Sequence, residues 1–110
     1  MSRSPVPLDE QQPIDKNLGG HVLRHLYGGE THAELSITVQ DGMIQYSLVS
    51  EFQSANIPDD ELVQAICDLV DLHERFGSGL RGASYRFVKN ADGRWNMVGR
   101  FSYESDTSSV

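Results

Sequence analysis

The sequence holds a single cysteine, Cys67, so no internal disulfide can form and a cross-linked secreted scaffold is excluded. Long apolar runs are also missing. Met1 to Gln12 carries Pro5, Pro7, Asp9 and Glu10 where a secretory leader or a membrane span requires an apolar stretch, and a cytoplasmic protein is therefore expected. Positive charge is scarce. Nine Lys+Arg against sixteen Asp+Glu leave a net charge of −7, the wrong sign for nucleic acid or an anionic membrane as the main partner and the right sign for a basic protein. There is no phosphate-binding glycine loop, no Gly-x-Ser-x-Gly elbow, no Cys-x-x-Cys pair and no internal repeat. What is present is 110 residues, 38% hydrophobic and 23% charged, enough for one hydrophobic core and too short for a substrate domain plus a cofactor domain.

Three of the four prolines fall in residues 1–13 among Ser, Gln and acids, a composition that buries little, so this segment is expected to be mobile. A single domain is expected over residues 14–104, with a frayed Ser- and Asp-rich tail over 105–110. Ile14, Leu18, Val22 and Leu26 recur every four residues and predict a helix from Ile14 to Tyr27, with Asp15 as a candidate cap, weakened at Gly19-Gly20 and ended at Gly28-Gly29. Ala33 to Val39 alternates with the period of a half-buried strand. Asp41-Gly42 then supplies a tight turn, so Met43 to Val49 returns antiparallel and buries Ile44, Tyr46 and Leu48. Pro58 followed by Asp59, Asp60 and Glu61 starts a second helix running to Phe76, whose buried stripe is Leu62, Val63, Ile66, Leu69, Val70, His73 and Phe76. A second hairpin joins Ala83–Lys89 to Arg94–Tyr103, with Gly99 as a bulge or a close contact. The expected fold is α+β: two hairpins forming an antiparallel sheet of four to five strands against two helices, in the order α-β-β-α-β-β, with Glu51 to Asn56 as a short additional edge.

Charge is unevenly placed. Residues 1–74 carry three basic and thirteen acidic side chains, whereas residues 75–100 carry six basic side chains and only Asp92 as an acid. Arg86, Arg94 and Arg100 alternate with apolar positions and share a strand face that suits an acidic partner or an oligonucleotide stacked on Tyr or Trp. The simpler reading is a solvated face whose arginines pair with the acidic helix. On that helix, Asp60, Asp68 and Asp71, flanked by Glu61 and Glu74, form a line of carboxylates over about 20 Å, a spacing able to steer a basic partner. The simpler reading here is again a solvated face.

Other candidates carry less chemistry. His21 and His25 lie one helical turn apart and would need His32 as a third zinc ligand, but the glutamate of the His-Glu-x-x-His pattern is missing, so no metal or cofactor is assigned. His73 falls on the apolar stripe and reads as a hydrogen-bonded core histidine, and Cys67 beside it as a small buried filler. No two of the sixteen acids stand out as a general acid and base.

Asp92-Gly93-Arg94-Trp95 followed by Arg100-Phe101-Ser102-Tyr103-Glu104, with the preceding strand and helix, resembles the carboxy-terminal signature of YezG-like immunity proteins. The order of elements from Ala33 to Glu104 extends the resemblance. It implies an antitoxin without enzymatic activity, acting in contact-dependent or other polymorphic toxin systems, that neutralises a cognate toxin, commonly a nuclease, by protein–protein interaction. On this reading Asp60, Glu61, Asp68, Asp71 and Glu74 contact a basic toxin domain and occlude its active site. The alternative is a small enzyme or ligand-binding domain with a pocket between sheet and helices near Trp95 and Tyr85, using His73 with a carboxylate; a self-associating adaptor is a third.

Overall fold

The computed structural model describes residues 6–26 and 28–103; expectations for residues 1–5, Tyr27 and 104–110 lie outside them. The elements are α1 (Leu8–Arg24), β1 (His32–Gln40), β2 (Met43–Ser50), β3 (Gln53–Asn56), α2 (Asp60–Phe76), β4 (Leu80–Lys89) and β5 (Trp95–Tyr103). The five strands form one antiparallel sheet in the order β3-β2-β1-β4-β5. The expected α+β architecture is present, with β3 as the short edge beside β2.

The first hairpin turns at Asp41 and Gly42, which both take positive φ, as a two-residue turn matched to strand twist requires. It aligns Leu35 with Leu48 and Ile37 with Tyr46. Tyr46 was expected to be buried and is 40% exposed. The cause is the shortness of β3, which pairs with β2 only from Leu48 to Ser50 and leaves the flank of Tyr46 open. In the second hairpin Gly99 sits opposite Tyr85, and a Cβ there would stand 3.1 Å from the tyrosine ring, so this glycine marks a close contact rather than a bulge.

Both helices cover one face of the sheet. The buried cluster joins Leu18 and Val22 of α1, Leu62, Ile66 and Leu69 of α2, Leu35 and Ile37 of β1, and Tyr85 and Phe87 of β4. Helix α2 begins two residues after the expected Pro58: Asp59 is the N-cap rather than a first-turn residue, accepting the Leu62 amide at 2.9 Å, which holds its carboxyl below the usual carboxylate range. It ends at Gly77 in the left-handed conformation, which turns Ser78 back beneath His73.

Helix α1 starts six residues before the predicted Ile14 and contains Pro13. A proline inside a helix removes one main-chain hydrogen bond, which is why the sequence reading stopped there. The loss is met by a tertiary contact: Gln11, inside the segment 1–13 expected to be mobile, is buried and bonded to α2. Gly19 also has a packing role, since a Cβ there would lie 3.1 Å from Met97 Sδ; the missing side chain lets α1 settle onto β5.

Candidate functional site

The acidic side chains chosen from the sequence divide into two groups along α2. Asp60 and Glu61 occupy its first turn, near the unpaired amides and the positive end of the helix dipole. Glu61 lies to one side and is an internal tie, accepting from Arg24 at 3.2 Å and standing 3.8 Å from His21, so it joins the end of α1 to the start of α2. Asp68, Asp71 and Glu74 lie further along and line a groove of about 330 Å³ with Ile44 of β2. Asp68 accepts the Gln64 amide at 2.9 Å and Asp71 faces Arg75 at 3.6 Å; the outer surface of the helix remains acidic. Cys67 does not fill the core as expected. It is exposed in the same groove, because seven residues separate it from Asp60 and four from Asp71, the spacing of one helical face.

A second surface lies on the other side of the sheet. Alternation places Glu34, Arg86, Val98 and Arg100 on the face that the helices do not cover, where Glu34 is opposite Arg86, Arg86 opposite Val98, and Ser84 opposite Arg100. A trough of about 790 Å³ crosses β2, β1 and β4 between Val49, Glu34 and Val88, and a smaller one of about 290 Å³ continues from Arg86 to Arg100. The arginines therefore do not pair with the acidic helix, which packs against the opposite face. Arg94 does not share the surface either: it precedes β5 and faces Asp92 at 4.0 Å in the turn. Trp95 and Phe101 pack on the helix side, which leaves the imidazole of His32 as the ring lining the open-face trough among the described residues.

Between the layers runs a chain of buried polar groups that no residue spacing announced. His73 is 2% exposed. Its Nε2 meets Gln11 Oε1 at 2.7 Å and its Nδ1 meets Ser78 Oγ at 2.8 Å. Gln11 Nε2 donates to Asp15 Oδ1 at 2.6 Å, which makes its oxygen the atom facing His73; Nε2 of the imidazole therefore carries the hydrogen and Ser78 donates to Nδ1. Tyr85 donates to the same Asp15 oxygen at 2.7 Å. Burial pushes the His73 imidazole below its ordinary value, with Asp15 opposing in part, and it pushes the Tyr85 hydroxyl well above its own, reinforced by the bond to Asp15. His73 is thus the hydrogen-bonded core histidine that its place on the stripe predicts. Histidine, carboxylate and tyrosine together resemble catalytic machinery, but Tyr85 is 0% exposed and Trp95 packs, partly buried, against the core cluster.

Of the remaining histidines, His21 and His25 link α1 to the start of α2. His25 Nδ1 donates to the His21 carbonyl at 2.9 Å while its Nε2 accepts the Asp59 amide at 3.1 Å, which ties the end of α1 to the cap of α2. His32 lies in β1 beside Thr31, 4.0 Å from Glu51. His21, His25 and His32 do not converge, and no group of three candidate metal ligands occurs among the described residues. Next to them, buried Glu30 accepts from Ser50 Oγ at 2.5 Å, the Phe52 amide at 2.7 Å and Gln53 Nε2 at 2.9 Å. That carboxylate fixes the turn between β2 and β3 from within. Among the described residues no helix is long and apolar enough to cross a membrane. No protein-family model matches the chain, and no curated protein matches it either.

Proposed function

We propose that this protein is an immunity protein: a non-enzymatic inhibitor that binds a basic toxin domain, that of a nuclease, through the outer surface of α2. The observation that carries the reading is the acidic line of exposed Asp60, half-buried Asp68 and exposed Asp71, continued by Glu74 and bordered by the groove next to Ile44. In the mechanism these carboxylates take the positions that substrate phosphates occupy near the lysines and arginines of the toxin, and the bulk of the domain blocks the cleft. Side-chain charges at such a rim raise the association rate more than the final affinity. The resemblance of Asp92–Trp95 and Arg100–Tyr103 to the immunity-protein signature supports the same class, as does the overall charge of −7.

The test is a binding titration against the catalytically disabled carboxy-terminal domain of the protein encoded directly upstream, at low and moderate salt. Nanomolar, salt-sensitive binding is expected. Replacing Asp60, Asp68 and Asp71 together by asparagine should slow association and flatten its salt dependence; an unchanged rate and slope would remove the acidic face from the proposal. Absence of any binding would reject the immunity reading itself.

A further inference from the structure

We propose that the open face of the sheet is a docking trough for an extended acidic segment of a partner protein, with Arg86 and Arg100 as its two anchoring groups. Arg86 on β4 faces Val98 across the strands and Arg100 on β5 faces Ser84, so the two guanidinium groups occupy diagonal positions on one surface. Such positions lie about 7–8 Å apart, close enough for one carboxylate to meet both or for two carboxylates of one strand to meet one each. Both side chains are exposed, and among the described residues neither makes an ion pair or hydrogen bond. Glu34 is directly opposite Arg86 but does not neutralise it; its carboxylate accepts the Ser84 hydroxyl at 3.1 Å. The acidic helix is on the other side of the sheet. Glu34 borders both arginines without coming within ion-pair distance of either, so an incoming carboxylate placed between the two guanidinium groups gains two donors that Glu34 leaves unused.

The remaining surface specifies what accompanies the acid. Val49, Val88 and Val98 are 43%, 43% and 56% exposed and all belong to this face. An extended peptide in which carboxylates alternate with aliphatic side chains matches both features. A nucleic acid matches them less well, since the one ring lining the trough among the described residues is the imidazole of His32 and the exposed valines call for aliphatic side chains. A second copy of this chain matches less well too, because a two-fold contact would bring the arginine pair of one copy towards that of the other.

The inference does not rest on toxin binding, since its surface lies opposite α2, and the two can fail separately. A fluorescein-labelled octapeptide of alternating Asp and Val should bind with micromolar affinity by fluorescence anisotropy. The Arg86→Ser/Arg100→Ser variant should weaken that binding about tenfold while its circular dichroism spectrum stays unchanged. The variant with Asp60, Asp68 and Asp71 replaced by asparagine should bind the peptide at least as well as the parent. The proposal is overturned if the peptide fails to bind, if the arginine variant binds it equally, or if an Asn-Val peptide does. It also falls if an octathymidylate binds as tightly, which would make the trough a nucleic-acid site, or if light scattering shows a dimer that the arginine variant dissolves.

Discussion

Replacing Tyr85 by phenylalanine isolates the buried polar chain from the packing around it. The substitution keeps the ring, including its edge-on contact with Phe101 at 5.8 Å between centroids, and deletes only the hydroxyl that donates to Asp15 at 2.7 Å. A hydrogen bond to a charged group contributes about 1.5–3 kcal/mol. Asp15 is half-buried and retains the Gln11 amide at 2.6 Å, so water can replace part of what is lost and the lower end applies, about 1.5–2 kcal/mol. For a domain of this size that is a fall in Tm of about 6–12 °C. Urea unfolding followed by the fluorescence of Trp95, the single tryptophan, should show a lower midpoint at an unchanged slope. In an Asp15→Ala background the same substitution should cost much less, because its acceptor is already gone. A cost below about 0.5 kcal/mol, or an equal cost in both backgrounds, would refute the assignment of this bond as a stabilising link between α1 and the sheet.

Three further outcomes concern pH and backbone conformation. His73 is held below its ordinary value of 6.5, so the unfolded chain binds a proton that the folded one refuses; stability is full above that pH and falls as pH drops through it, by at most about 1.4 kcal/mol per pH unit. Chemical denaturation between pH about 7.5 and 5.5 should show this fall, and His73→Gln should flatten it; a flat parent profile would contradict the burial of a neutral imidazole. Glu51, held low by the Thr31 hydroxyl and amide, and Asp59, held low by the Leu62 amide, lose their contributions only at still lower pH, below their ordinary 4.5 and 3.8. Gly77→Ala forces a side chain into φ 67° at the end of α2 and should destabilise by about 1 kcal/mol in thermal unfolding, with Gly77→Asn milder.

The legible parts of the sequence were those that local periodicity and turn chemistry determine. Asp41-Gly42 between two alternating segments specifies its hairpin without reference to the rest of the molecule, and the 3, 4 spacing from Leu62 to His73 specifies the buried side of α2. The extension of α1 through Pro13 was hidden because its support is distant: Gln11 is 62 positions from His73, its hydrogen-bond partner. The heptad offsets Gln11–Leu18 and Asp15–Val22 are the trace that a residue-type reading passes over, since two of the four positions are polar. Cys67 was misplaced by one step around the helix; counting from Asp60 rather than from Ile66 puts it on the acidic side. The acidic line itself was readable from spacing, whereas the tie of Glu61 to Arg24 depends on how the two helices meet.

The separation of the two arginines from the acidic helix is a consequence of layering rather than of sequence distance. A sheet covered by helices on one side must expose its other side, and serines and threonines such as Ser36, Thr38 and Ser84 are sufficient to make such a surface soluble. Unpaired guanidinium groups and exposed valines exceed that need. Because α2 lies across the thickness of the sheet, stacked layers about 10 Å apart place its carboxylates beyond the Debye length of about 8 Å at physiological salt. At that salt the two proposed surfaces act independently of each other. As ionic strength is lowered, their fields overlap and partly cancel. Charge reversal on one face should therefore alter binding at the other only in low salt, a dependence that separates long-range coupling from a shared contact surface.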